Sequence, residues 1–470
     1  MKRLQKIFQV YMILFFALVF IINIYFIYVE KLNTLYIIPS CILLSILYFI
    51  TKLRTPYFGL ILFLFSLVTK IAMILIIRTP PISDFEVMLR AARLFAIDDY
   101  SFKEFQYFSF FPYQTIFAVY QGLIIKIFGD SVLLLKIINC FFIAGTNYLV
   151  YKIGKIIFNE FAGRVAGVLH AVYIPIFFMA PVLTNQHIAT LFYYIALYYI
   201  VKHHKNSYKK WIFAGLFIAI GNSLRPIGII FIMAIFIMSI INTHKQTSII
   251  NNLKYFAVCL VSYLIIFYSI SSLSVVIGVT DNGLKNNNPY WKFVTGLNEK
   301  TSGRFSEEDV NSLMLYDITI DEELLFKERE LIKERLMISP TRMLSLMIKK
   351  IRYMWGDFEL GVFTFPHLIG KGIRKAGISF DYIYRQIQEF EKIFYTFIIG
   401  FVLYGLIRYF RVGKNNYVHL LYYVLTIYTG AHFLIEISFR YKYVVMPIVF
   451  ILAGNGVFIM IDRIKNKKMI

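Results

Sequence analysis

Residues 57–77 read YFGLILFLFSLVTKIAMILII, and residues 80–100 read PPISDFEVMLRAARLFAIDDY. The first stretch is apolar for about the length a helix needs to cross the hydrocarbon core of a bilayer. Arg78, Asp84, Glu86, Arg90, Arg93, Asp98 and Asp99 follow it at once, so charge begins where a membrane would end. The pair therefore reads as a membrane helix emerging into a polar segment. That segment is either a solvated loop or a place where chemistry happens.

The whole chain repeats the apolar half of this pattern. Of its 470 residues, 59% are hydrophobic and 18% aromatic, and the mean hydropathy is +0.66. These values lie outside what a water-soluble core requires and predict an all-α polytopic membrane protein. The formal charge of +22 suggests no nucleic-acid partner, because the basic residues cluster in short runs beside apolar segments. There they read as orientation signals and contacts with membrane lipids. Cys41, Cys140 and Cys259 fall inside apolar runs without metal-ligand spacing and read as packing residues. The basic start and long apolar run of residues 1–31 lack a small-residue cleavage site and read as a retained first span.

A window of roughly 19 residues gives spans near 7–28, 34–51, 57–77, 131–150, 162–182, 186–202, 211–223, 225–242, 254–278, 391–410, 417–435 and 442–461, about twelve in all. Placing both termini in the cytoplasm puts the basic loops at 51–56, 151–164, 202–210 and 408–414 inside, as the positive-inside rule asks. This holds only if 109–128 does not cross. Residues 79–130 are thus expected to form one outer segment along the interface, following two extra N-terminal spans in 1–56. The core is 57–278, the loop 279–390 forms a mainly helical outer subdomain with Tyr353 and Trp355 near the headgroups, and 391–470 returns to the membrane with a basic tail.

The same topology gathers the polar features on the outer side. Asp84 sits just beyond the third span, and Glu86, Arg90 and Arg93 share one face of a short interfacial helix. This is compatible with an amphipathic surface helix and with a catalytic carboxylate. Pro112 and Tyr113 start a helix or shape a cavity rim. The turn 181–189, PVLTNQHIA, carries Asn185 and His187. The turn 221–229, GNSLRPIGI, interrupts a long apolar run with Arg225, whose guanidinium is costly near a bilayer unless it reaches the interface or an anion. In HFLIEISFRYKY, His432, Glu436 and Arg440 fall four apart, as on one face of a salt-bridged helix end, with Tyr441 following. His170 reads as a buried, hydrogen-bonded histidine. No phosphate-binding glycine motif is present.

A carboxylate and two arginines at the outer interface fit transfer from a lipid-linked donor. The polyprenyl chain partitions into the bilayer while its phosphate sits where arginine can hold it. A flippase for a lipid-linked saccharide, or a polysaccharide polymerase or ligase, also needs outer arginines.

The order of these features resembles the GT-C superfamily of integral membrane glycosyltransferases, nearest the branch of protein O-mannosyltransferases and lipid A aminoarabinose transferases. The matching elements are SDFEVMLRAARLFAIDDY, the Pro-Tyr helix and Phe-Gly turn that follow, VLTNQHIATLFYYIALYY, NSLRPIGII and EISFRYKYVVMPIVFILAG. The resemblance implies a polyprenyl-phosphate-sugar donor, an extracytoplasmic acceptor and Asp84 as catalytic base, with Glu86 beside it. Arg225 and Arg440 are expected at the lipid phosphate, with Tyr441, Pro112, Tyr113, Asn185, His187 and Lys350 around the substrate. Lys349, Lys350 and Arg352 are weaker phosphate candidates. The family often shows adjacent Asp-Glu; here Phe85 separates the pair. No cofactor is demanded, although a divalent cation at Asp84 and Glu86 is compatible with the sequence.

Overall fold

Long runs of Leu, Ile, Phe and Val leave the backbone to satisfy its own polar groups, which in an apolar medium a single segment does only as helix. The computed structural model describes residues 2–77, 79–202, 207–241, 248–313, 320–359, 380–412 and 416–467, and among these it is helical without strands. The helices are α1 (Lys2–Val29), α2 (Ile37–Thr51), α3 (Phe58–Ile76), α4 (Asp84–Ala96), α5 (Gln106–Phe110), α6 (Thr115–Phe128), α7 (Val132–Ile157), α8 (Glu160–Val172), α9 (Ile174–Met179) and α10 (Gln186–Lys202). They continue as α11 (Tyr208–Leu224), α12 (Gly228–Ile241), α13 (Ile249–Val276), α14 (Trp291–Gly296), α15 (Glu307–Ser312), α16 (Glu322–Leu336), α17 (Pro340–Ile351), α18 (Phe380–Val412), α19 (Asn416–Leu434) and α20 (Met446–Lys467).

Seven described helices are long and apolar enough to cross a membrane: α13, most of α1 and α18, and those covering 34–51, 58–76, 132–157 and 446–465. The stretches expected to cross at 186–202, 211–223, 225–242 and 417–435 fall on shorter or less apolar helices, so among the described residues length and composition support seven spans rather than about twelve. The stretch 162–182 is broken rather than continuous, because Tyr173 is extended between α8 and α9 and Pro175 opens the next turn, as proline does when it ends one helix and starts another. The first half of α20 is deeply buried in the bundle. Val444 to Ala453 are buried throughout, and the helix packs against α7, α8 and α18. Gly454 and Gly456 let it approach the backbones of α8 and α18 more closely than a side chain would allow.

Some polar side chains inside the bundle pair with one another or with backbone carbonyls. His170 Nδ1 meets Asn147 Nδ2 at 3.0 Å, as expected from the sequence. Lys70 donates to the Ala171 carbonyl and lies over the ring of Phe177. Trp355 departs from the expected headgroup position. It is 2% exposed and packs edge-on against Phe15 and Phe16 of α1, while its carbonyl accepts from Asn23.

The segment 79–130 folds as α4, α5 and α6 joined by short 3₁₀ turns. α4 buries Phe85, Met88, Leu89, Ala92 and Phe95 and exposes Glu86, Arg90 and Arg93. α6, at 14 residues, is about 21 Å long, short of a bilayer core. The ion pairs Arg93–Asp130 at 2.8 Å and Lys126–Asp98 at 2.5 Å tie α4 to α6. Residues 279–356 add the small helices α14 to α17. Their core joins Trp291, Val294, Val310 and Leu324 to Phe110 of α5. Within it Arg335 grips Asp309 through both carboxylate oxygens at 2.6 and 3.0 Å, and Glu328 is fully buried.

Candidate active site

Asp84 is the first residue of α4 and half-buried. Ser83 before it takes φ +53° and ψ −137°, a region a residue with a Cβ enters at a cost of about 1–3 kcal/mol. The turn places Asp84 in the first turn of α4, the end of the helix dipole that favours negative charge, and Ser83 Oγ donates to its Oδ1 at 3.5 Å. Glu86 lies about 200° around the helix axis from Asp84 and is exposed, so the two carboxylates do not face a common point. Among the described residues no group of three or more His, Cys, Asp or Glu could hold a metal ion.

Arg225 ends α11 in an extended conformation, the geometry favoured before Pro226. Its Nη1 donates to Asn185 Oδ1 at 3.2 Å. Asn185 is buried, and its Nδ2 donates to the Leu224 carbonyl at 2.7 Å and to Gln114 Oε1 at 2.9 Å. The arginine is thereby aimed by an amide that cannot itself rotate.

Arg440 and Tyr441 come from the 3₁₀ segment Phe439–Val444. The expected helix carrying His432, Glu436 and Arg440 on one face does not form, because α19 stops at Leu434. Beyond it the backbone bonds outward: Glu436 N–H donates to the Lys292 carbonyl at 2.7 Å and Ile437 N–H to the Gly303 carbonyl at 2.9 Å. A Cβ on Gly296 would sit 2.3 Å from the Ile435 carbonyl carbon, so only glycine permits this approach. Glu436 pairs with Lys292 instead of a helical neighbour. The segment is steadied by Gln186 Nε2 donating to the Arg440 carbonyl at 3.3 Å and Tyr428 Oη to that of Tyr441 at 2.5 Å.

These pieces converge. The guanidinium of Arg225 lies 5.4 Å and that of Arg440 5.9 Å from the Tyr441 ring centroid, and Arg440 is also 5.3 Å from the ring of Phe85, beside Asp84. Two residues unnoticed in the sequence join them. Tyr107 of α5 is raised well above the usual phenol range, by burial first and then by the nearby charge of Asp84, while Arg440 opposes. Lys292 is held high: burial would lower it, but Glu436 and the phenols of Tyr441 and Tyr113 outweigh that. Tyr113 is pushed up to about 12, by burial first, with Lys292 and Arg225 opposing. The sequence signals were the aromatic run YFSFFPY and a lone lysine in NNNPYWKF, both ambiguous until the two outer segments are seen side by side.

The remaining candidates are structural in placement. His187 uses both ring nitrogens, Nδ1 with Tyr443 Oη at 2.7 Å and Nε2 with the Met179 carbonyl at 3.0 Å. Lys350 donates to the carbonyls of Gly296, Phe433 and Ile435 at 2.7, 3.0 and 2.8 Å, stapling the outer subdomain to the end of α19. Pro112 is buried at the start of a 3₁₀ turn, and Lys349 and Arg352 are exposed.

Residues 115–271 match the family of dolichyl-phosphate-mannose-protein mannosyltransferases, and the resemblance to the GT-C superfamily of membrane glycosyltransferases is borne out at that level. Among solved structures, the chain is similar to the oligosaccharyltransferase AglB from Archaeoglobus fulgidus in complex with an inhibitory peptide and a dolichol-phosphate, at 13% identity and a TM-score of 0.48, covering 88% of this chain and 51% of that one. It is also similar to ArnT from Cupriavidus metallidurans bound to undecaprenyl phosphate, at 11% identity and a TM-score of 0.39, covering 86% and 78%. The chain thus spans about half the length of the oligosaccharyltransferase. No curated protein matches it.

Proposed function

We propose that the protein transfers a sugar from a polyprenyl-phosphate-linked donor to an acceptor on the extracytoplasmic face of the cell membrane, with both termini cytoplasmic. The observation that carries this reading is the meeting of Asp84, Arg225 and Arg440 around Tyr441 and Tyr107 at one loop-built face. The match to mannosyltransferases of lipid-linked donors supports it.

In the proposed reaction the acceptor hydroxyl oxygen attacks the anomeric carbon as its proton passes to Asp84. The bond from that carbon to the phosphate oxygen breaks, and the electron pair leaves on the phosphate, giving inversion at carbon. Arg225 and Arg440 hold the phosphate and stabilise its growing charge, an arrangement that gains strength where water is sparse. Lys292, neutralised by Glu436, supports the rim and leaves the net charge for the donor to the two arginines. Cations from the protein fill the role a metal would serve, so the reaction as drawn needs no cofactor.

The test is turnover of a radiolabelled polyprenyl-phosphate-hexose panel by purified protein in lipid, wild type beside Asp84→Asn. General-base loss should slow release of lipid phosphate by about 10²–10⁴-fold while donor binding persists. Tight donor binding without turnover in either protein, across a broad acceptor set, would favour transport.

A further inference from the structure

An open cavity of ≈ 860 Å³ lies beside this site, between the α5 segment and the loop 279–289. It is at the upper end of the size range of small-molecule sites, and none of Asp84, Arg225 or Arg440 lines it. One thin wall separates the two. Tyr107 faces the charge of Asp84, while its neighbours Gln106 and Phe108 line the cavity; Tyr113 faces Arg225 and Lys292, while Pro112 lines the cavity.

The chemistry of the two sides differs. Around Tyr441 two guanidiniums set a positive field suited to a phosphate. In the cavity the cations Lys103 and Lys285 are matched by the carboxylates Glu104 and Asp281, and Lys103 is paired with Asp281 at 2.7 Å. A lining without net charge selects no anion. The lining also carries the side-chain amides of Gln106, Asn282, Asn286 and Asn287, beside the buried rings of Phe108 and Phe110; Asn286 Oδ1 accepts from the Asn288 N–H at 3.2 Å. Amides both donate and accept, which suits a ligand covered in hydroxyl groups, and the buried rings give the cavity an apolar backing. The cavity is also preformed: Asn287 Nδ2 donates to the Ser109 carbonyl at 2.8 Å across it, and Phe110 is packed into the core of the outer subdomain below.

We propose that this cavity is the acceptor subsite and that the acceptor is an uncharged saccharide, which reaches Asp84 over the edge of α5. The proposal rests on the transferase reading above. Its test is saturation-transfer NMR on the full-length protein in lipid nanodiscs with methyl glycosides of gluco-, galacto-, manno- and N-acetylglucosamine trisaccharides. Wild type and Asp84→Asn should both give saccharide signal, and the double variant Gln106→Ala/Asn282→Ala should bind about tenfold more weakly, the effect of losing two net hydrogen bonds. Retained binding of undecaprenyl phosphate by the double variant shows that it is folded; a loss of both ligands is resolved by each single variant, whose saccharide binding should still weaken while the lipid phosphate is held. Saccharide binding unchanged in the variants, no saccharide signal from wild type, or binding of an acceptor peptide in place of sugars overturns the proposal. If Asp84→Asn turns over donor as fast as wild type while the cavity variants lose saccharide, the catalytic reading fails and the saccharide site stands.

Discussion

The guanidinium of Arg440 lies 5.3 Å from the ring of Phe85, joining the last loop of the chain to the residue that follows Asp84. The contact fixes the distance between the proposed base and a proposed phosphate ligand through packed groups. Phe85 lies on the buried apolar face of α4, while Asp84 before it is half-exposed.

Arg440→Ala should lower kcat/KM for a lipid-linked donor by about ten- to a hundredfold, the worth of a charged hydrogen-bonded contact. Arg440→Lys should recover only part, since an ammonium lacks the planar fork that meets two phosphate oxygens together. Steady-state kinetics with donor varied at fixed acceptor reads both. Full recovery by lysine would argue that Arg440 supplies charge alone.

Gly296→Ala should damage activity from a distance. A Cβ there meets the backbone of Ile435 and Glu436, and relieving an overpacked contact of this kind costs about 1–3 kcal/mol. The expected result is a lower unfolding midpoint together with reduced turnover, as the Lys292–Glu436 pair and the segment bearing Arg440 shift. A variant with unchanged midpoint and full turnover would show that the subdomain is not coupled to the site.

The pH dependence of stability should carry the mark of Glu328. Burial pushes this carboxyl up to about 7, opposed in part by the Asn288 amide. The folded state therefore holds the proton more tightly than the unfolded chain does. The resulting stability is complete below the ordinary value of 4.5 and is lost as pH rises through about 7. Glu328→Gln keeps the neutral form at every pH, so its unfolding midpoint should match wild type near about pH 4 and exceed it near about pH 8. Parallel curves for the two proteins would remove Glu328 from the account.

Much of the frame was legible because charge inside an apolar chain is expensive. Asp84, Arg225 and Arg440 stood out for that reason, and they meet in space. Glu86 stood out equally and faces elsewhere, since two residues apart on a helix is nearly opposite. The ion pair of Glu436 was misplaced because i, i+4 spacing has meaning only while the helix lasts, and α19 ends earlier where a glycine from a remote loop captures its backbone. His187 and Lys350 illustrate the converse: a polar residue in a polar turn can be consumed by backbone carbonyls, which no local pattern reveals. Tyr107 and Lys292 were hidden because their significance depends on two outer segments lying together.

The contact between Phe85 and Arg440 brings together two groups, hundreds of positions apart in the chain, that the proposed reaction uses in one event. During synthesis the carboxylate emerges early and its cationic counterpart arrives only with the final hairpin of the chain. Until α20 seats itself in the bundle, the early helices hold half of the proposed site. A chain released or cleaved before that moment would carry the proposed base without the proposed phosphate ligand, so on the proposed mechanism activity would wait for a late step of assembly.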